Sequence, residues 1–248
     1  MSTIYILWLR QVIRFIRSKS RIIGSLAQPL LFLVALGFGF GPIYTKAGEG
    51  NYIEFLVPGV IAMSVLFTAM FTGIEIIWDR QFGFLKETLV APVSRIQIMI
   101  GRTLGGGTVA LLQGLIVFLL SFIVGFRPAS LPLLGLGLIV MFLIAIIFTA
   151  LGTAIASLLE DMQGFQLIMS FLIMPIFFLS SALFPLKGLP KAIEIVSRLD
   201  PLTYGVDALR GTLAGSSFLT LPVDFMVLTF MAAILLAVGS YLFSKIQI

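Results

Sequence analysis

Cysteine and histidine are absent from the 248 residues, and charge is scarce. Those absences remove thiolate nucleophiles, disulfides, imidazole bases and the commonest metal and haem ligands. Only 11% of the residues are charged while 59% are apolar, and the mean hydropathy is +1.14. A water-soluble globule of this composition has too little polar surface to cover itself, so the chain reads as an integral membrane protein. The charge that is present leans one way, 16 Lys and Arg against 11 Asp and Glu, a net +5. That surplus suits anionic lipid headgroups, and no basic, aromatic-interleaved soluble domain offers itself to nucleic acid.

Long apolar runs divide the chain into six candidate spans, each long enough for a hydrocarbon core of about 30 Å. They cover roughly Ile22 to Gly41, Tyr52 to Ile77, Thr103 to Phe126, Leu131 to Leu159, Phe165 to Phe184 and Val223 to Phe243. Pro29 predicts a kink in the first, with Gln28 able to satisfy the carbonyl that proline frees, and Pro175 predicts a break in the fifth. Pro42 to Asn51, with Lys46 and Glu49, reads as a polar loop. In the second span Ser64, Thr68, Thr72 and Glu75 recur on one helix face. Either that stripe lines a pathway or a protomer interface, or the hydroxyls bond their own backbone and Glu75 reaches interfacial water. Gly101 and Gly105, followed by Gly106, Gly107 and Gln113, predict close helix packing with one interhelical hydrogen bond. Glu160 and Asp161 read as a solvated helix end, and no metal site is expected.

Residues 1–21 form a separate unit. At helical spacing Arg10, Arg14, Arg17 and Arg21 share one face and Trp8, Val12 and Phe15 lie roughly opposite, with Lys19 as the blemish. This predicts an amphipathic helix in the membrane interface; a solvated basic extension is the alternative. Residues 22–248 then make the six-span domain.

Two polar stretches interrupt that domain. In the first, residues 78–102, the segment WDRQFGFLKETLVAPVSR gathers Asp79, Arg80, Lys86, Glu87 and Arg95 between two spans. Read as one short helix ended by Pro92, it has an apolar stripe of Phe82, Leu85 and Leu89 facing the membrane domain. Arg80, Gly83 and Glu87 point the other way. In the second, residues 185–214, Lys191, Glu194 and Arg198 share a face opposite Leu189, Ile193 and Val196. Asp200-Pro201 then supplies an N-cap and a first-turn proline for another short helix, to about Leu213. Two short helices between spans predict a hairpin dipping into the outer leaflet.

With the first residues inside, ten basic residues fall on the cytoplasmic side (Arg10, Arg14, Arg17, Lys19, Arg21, Arg80, Lys86, Arg95, Arg102, Lys245) and six outside. The bias predicts both ends inside and residues 78–102 in the cytoplasm.

The run from Asp79-Arg80-Gln81-Phe82-Gly83-Phe84-Leu85-Lys86-Glu87 to Pro92 and Arg95 resembles the cytoplasmic loop of type-2 ATP-binding-cassette (ABC) exporter permeases. The likeness is nearest to the branch holding drug-resistance exporters. A second family signature follows in order: the apolar run Ile173 to Ala182, Leu189-Pro190, Pro201-Leu202-Thr203-Tyr204 and Arg210. Glu75 belongs to no pattern of that family. The resemblance implies an all-α permease with six spans, working as a dimer, most simply a homodimer. It also implies two copies of a separate ABC ATPase carrying the ATP and magnesium, and the cytoplasmic (inner) membrane of a prokaryote as location. It assigns ATPase coupling to Asp79, Arg80, Phe82, Gly83, Leu85, Lys86, Glu87, Pro92 and Arg95. The outer hairpin signature falls on Pro190, Pro201, Tyr204 and Arg210. By the same resemblance spans two and five line the route, which nominates Ser64, Phe67, Thr68, Phe71, Thr72, Phe171 and Phe177 for a hydrophobic or amphipathic substrate such as a drug or lipid.

The chain has no Gly-x-x-x-x-Gly-Lys-Ser/Thr phosphate loop, and Gly105-Gly106-Gly107 lacks the lysine, so no cofactor or ATPase activity is expected of it. A polysaccharide or lipid-linked glycan is the alternative cargo. An ion-coupled secondary transporter needs midplane charges that the spans lack, and an intramembrane enzyme needs His, Cys or paired acids.

Overall fold

The computed structural model describes residues 2–46, 50–90, 92–185 and 190–245, apart from the side chain of Leu89. Every regular element among these residues is helical: α1 (Thr3–Arg17), α2 (Lys19–Lys46), α3 (Tyr52–Phe71), α4 (Ile74–Gln81), α5 (Phe84–Val90), α6 (Arg95–Ser121), α7 (Leu134–Leu158), α8 (Met162–Leu179), α9 (Lys191–Leu199), α10 (Pro201–Leu209), a π-helical turn (Arg210–Ala214) and α11 (Leu221–Ser244). Six segments are long and apolar enough to cross a bilayer: α2, α3 continued by α4, α6, α7, α8 and α11. The chain is an all-α, six-span membrane protein, as its apolar runs predicted.

Lipid tails are as apolar as leucine, so burial of apolar surface gives these helices little reason to pair; close backbone approach and polar contacts do. The tightest crossings occur at glycines. A side chain at Gly73 would run into the Gly152 carbonyl, and one at Gly152 into the Met70 carbonyl, so the α3–α4 joint and α7 touch backbone to backbone. Gly106 and Gly107 admit Thr149 and Ile146 of α7. Gly101 and Gly105, by contrast, receive Leu7 and Gln11 of α1. Gly101 and Gly105 therefore dock the first helix, while Gly106 and Gly107 dock another span. Fully buried Gln113 finds no hydrogen-bond partner, so the interhelical bond expected there is not made.

Local chemistry moves several boundaries. Ser18 ends α1, so the unit expected over residues 1–21 stops at Arg17 and the first span already begins at Lys19. Ser94 caps α6 by accepting from the Gln97 N–H (3.3 Å), which starts the third span at Arg95, eight residues before Thr103. Pro29 and Pro175 lie within α2 and α8, so the break expected at Pro175 does not occur. One missing N–H is tolerable where neighbouring helices hold the segment. The exposed Gln28 borders a cavity.

The second span is the centre, packed against α2, α6, α7 and α10, while α2, α8 and α11 stand at the periphery with broad exposed apolar faces. Arg95 Nη1 donates to the Ser244 carbonyl, bringing the start of α6 to the end of α11. The same end of the bundle holds α1, the α4–α5 elbow and the α7–α8 turn. At the opposite end Arg210 meets Phe55 of α3, and the Ala129 N–H donates to the Leu213 carbonyl (2.8 Å).

Candidate functional site

At the α4–α5 end, Asp79 is buried and accepts from three donors on two helices. Arg10 of α1 reaches it with both terminal nitrogens (2.7 and 3.3 Å), and Arg102 of α6 does so at 2.5 Å. One turn earlier, buried Glu75 lies between Arg14 (3.4 Å) and Arg21 (3.3 Å). Four guanidiniums thus face two carboxylates, a surplus of two positive charges. Glu75 does not reach interfacial water, and Asp79 does not face a soluble partner. The arginine face of α1, expected on headgroups, is turned largely into the protein, while its Leu7, Gln11 and Phe15 are buried. Trp8 Nε1 donates to Thr108 Oγ1 (2.9 Å), fastening α1 to the third span.

The predicted single helix over 78–92 is two helices. Phe82 ends α4, and Gly83, at φ +80°, turns the chain into α5. Only glycine takes that left-handed conformation without a steric cost. The turn shifts the helical phase, which overturns the expected faces. Phe82 is not part of a buried stripe but 81% exposed, and Leu85 alone among the described side chains of α5 is buried. Arg80 points inward, donating to the Leu159 (2.8 Å) and Ser157 (3.2 Å) carbonyls at the end of α7. Gln81 bonds the Glu160 carbonyl (3.4 Å), and Arg10 lies 4.0 Å over the Phe84 ring. The face left open carries Phe82, Lys86, Glu87 and Val90, with exposed Pro92 following. Arg95 belongs to α6 and its Ser244 contact. Leu89, placed in the apolar stripe, has its side chain outside the described residues.

At the opposite end Asp200 caps α10 by accepting from the Leu202 N–H (2.9 Å), with Pro201 in the first turn. Burial pushes its carboxyl up to about 7. The Tyr204 hydroxyl donates to the Arg198 carbonyl (2.9 Å), folding α10 back on α9. Arg210 is buried and, among the described residues, makes no ion pair, although the Asp207 carboxylate one turn earlier still favours its charge. It donates to Ser181 and Ala182 carbonyls (2.6 and 3.2 Å), to Ser181 Oγ (3.3 Å) and to the Phe55 carbonyl (3.2 Å), and stacks 3.7 Å over the Phe55 ring. Burial lowers its pKa to about 10. Pro190 is exposed ahead of α9, whose Ile193 and Val196 also remain exposed; Leu189 lies outside the described residues. A cavity of about 600 Å³ opens beside this hairpin, bordered by Tyr44, Glu194, Arg198, Tyr204 and Asp207.

Of the nominated route residues, Ser64, Phe67, Thr68 and Phe71 border one cavity of about 240 Å³ between α2 and α3. Thr72 lies outside it and bonds its own backbone at the Ala69 carbonyl (2.6 Å). Phe177 is buried against Phe32, ring centres 6.0 Å apart, and Phe171 is 83% exposed on the outer side of α8. The residues nominated on spans two and five thus fall in four separate places.

The family model described as ABC-2 type transporter matches residues 2–214. The chain belongs to that family. Among relatives of this ABC-2 chain, transport permease ycf38 of Cyanophora paradoxa is 29% identical over 87% of this chain and 76% of its own length. Nodulation protein J of Rhizobium leguminosarum bv. trifolii is 28% identical over 84% and 80%, and that of Sinorhizobium fredii 29% over 76% and 72%. The cluster of Arg10, Arg14, Arg21, Arg102 and Glu75 was not visible in the ABC-2 motifs. A signal existed: two acids four residues apart at the end of a span, and a helix face made of arginines, each need a counter-charge.

Proposed function

We propose that the chain is the transmembrane permease subunit of an ABC exporter, moving a hydrophobic or amphipathic compound outward while a separate ABC ATPase hydrolyses magnesium-bound ATP. Two permease chains and two ATPases form the complex, in the cytoplasmic membrane of a prokaryote. The observation that carries this reading is the α4–α5 elbow. Its frame is pinned on one side through Asp79 to Arg10 and Arg102, and on the other through Arg80 and Gln81 to the end of α7. Its open face presents two aromatic or aliphatic side chains, Phe82 and Val90, with Lys86 and Glu87 beside them. A soluble domain gripping that face pushes on spans two, three and four together, since α4 continues span two while Asp79 ties the elbow to Arg102 of span three and Arg80 and Gln81 tie it to the end of span four. ATP chemistry belongs to the partner, and this chain's residues transmit displacement.

The test is co-purification and ATP turnover with the partner ATPase. Phe82→Asp with Val90→Asp should abolish co-purification by about tenfold or more while leaving the thermal unfolding of the permease unchanged, because both side chains lie at the surface. Undiminished ATPase capture would refute the elbow as the docking face.

A polysaccharide or lipid-linked glycan is a second reading. It is favoured by the larger outer cavity, where Glu194, Arg198, Tyr204 and Asp207 set hydroxyl-binding groups beside aromatic rings. Stimulation of ATP turnover by a glycolipid, with flat activity across apolar drugs, would select it.

A further inference from the structure

The cavity between α2 and α3 is graded from one end to the other. Its cytoplasmic end is bordered by Arg21, and Phe67, Phe71 and Met63 continue along it to mid-span, where Ser64 closes it. From Phe71 to Ser64 is seven helical residues, roughly 10 Å. Two features of this groove are unaccounted for by the fold. Ser64 is 3% exposed, borders the cavity and makes no hydrogen bond. Arg21 shares the single carboxylate of Glu75 with Arg14, whose Nη1 stands 3.4 Å from it in an ion pair without making a hydrogen bond. One carboxylate between two guanidiniums leaves a positive charge at the mouth of a groove whose other lining residues, Phe15, Phe67, Phe71, Met63, Gln28 and Thr68 among them, are uncharged.

Resting on the exporter reading above, we propose that this groove is a cargo site for an amphiphile with an anionic headgroup, such as a phosphate or carboxylate. The headgroup sits against Arg21 and the apolar chain runs along Phe67 and Phe71 towards Ser64. A guanidinium beside an apolar wall selects an anion over a neutral or zwitterionic head, because the charge-assisted hydrogen bond forms in a partly dry setting. The aromatic faces and Met63 accept a chain with little demand on its shape. Gly24 and Gln28, both exposed, form the rim through which such a molecule enters from the side.

The test uses the purified full chain in neutral detergent and three probes: lysophosphatidic acid, lysophosphatidylcholine of the same acyl chain, and glycerol 3-phosphate. The wild-type chain should hold the anionic lysolipid about tenfold more tightly than the zwitterionic one, the worth of one charge-assisted contact. Arg21→Gln should erase that preference while keeping the affinity for lysophosphatidylcholine. Gly24→Leu should weaken both lysolipids while the unfolding temperature stays that of the wild-type chain, since a Cβ added at Gly24 meets nothing within 4 Å. Equal binding of both lysolipids by the wild-type chain, or a preference that survives Arg21→Gln and Gly24→Leu, overturns the proposal. Equally tight binding of glycerol 3-phosphate overturns it too, because that marks a free-phosphate site. In the complex reconstituted with its ATPase, stimulation by neutral and anionic amphiphiles alike would sink this proposal and leave the exporter reading standing. Loss of the exporter reading shows separately, as failure of any ATPase to bind the elbow.

Discussion

Two buried arginines hold the two ends of this molecule in different ways. Arg102 sits against the carboxylate of Asp79, which it shares with Arg10, whereas Arg210 is surrounded by carbonyl oxygens, a serine hydroxyl and the face of Phe55. An ion pair in a dry setting is worth little beyond the cost of desolvating both charges, but removing one partner is expensive. A guanidinium satisfied by carbonyls has no single partner whose loss strands it. The α4–α5 end is therefore brittle to one substitution, and the hairpin end depends on the shape of one planar group. On the exporter function proposed above, that division suits an end that is pushed and an end that keeps its form.

The sharpest test of the contrast is Asp79→Ala. It leaves buried Arg102 and half-buried Arg10 facing each other without a counter-ion and should cost about 3–5 kcal/mol in thermal unfolding. Replacing the pair together, as Asp79→Leu with Arg102→Met, should recover most of that loss. A single mutant with wild-type stability would end the comparison.

Arg210→Lys keeps the charge at the other end but loses the fork that spans Ser181, Ala182 and Phe55, and the stacking on the ring. The expected loss is about 2 kcal/mol, smaller than at Asp79. It should appear first as faster hydrogen exchange around residues 181–185. If Lys restores full protection there, geometry is not what this arginine supplies.

A further effect, read against pH and not as a single loss, lies in the hairpin. Burial raises the Asp200 carboxyl from its ordinary 3.8 to about 7. The folded hairpin thus holds a proton more firmly than the unfolded chain does, so stability is greatest at acid pH and falls as pH rises between 3.8 and about 7. Asp200→Asn retains the side-chain oxygen that caps Leu202 and should flatten the slope. Unfolding temperatures that fall equally steeply from pH 5 to pH 8 in both proteins would remove Asp200 as the source.

Much of this was legible in the residues. The six spans follow from apolar runs, and the α9–α10 hairpin from Asp200-Pro201 and the spacing of Lys191, Glu194 and Arg198. The elbow was legible as a place, since only there does charge accumulate between the second and third spans. Its faces were not. Gly83 adopts a left-handed conformation, and no periodicity carried across that residue survives the change of phase, which is why Phe82 and Arg80 exchanged sides. Ser64, Thr68, Thr72 and Glu75 were legible as one stripe because a single helix carries them, but only Ser64 and Thr68 of these border the cavity, beside Phe67 and Phe71; Phe171 and Phe177 sit on another helix, whose rotation is set by its neighbours.

By itself, then, the amino-acid sequence determined the solvent, the number of crossings, the cap that starts α10, and the family, since all of these rest on composition, local spacing and short motifs. Only the tertiary structure decided that α1 is folded onto the third span and that its arginines meet Asp79 and Glu75. The physical reason is that a charge placed near a membrane must find an opposite charge, but the identity of its partner depends on which helices lie side by side. Gly101 and Gly105 settle that by letting α1 approach so closely.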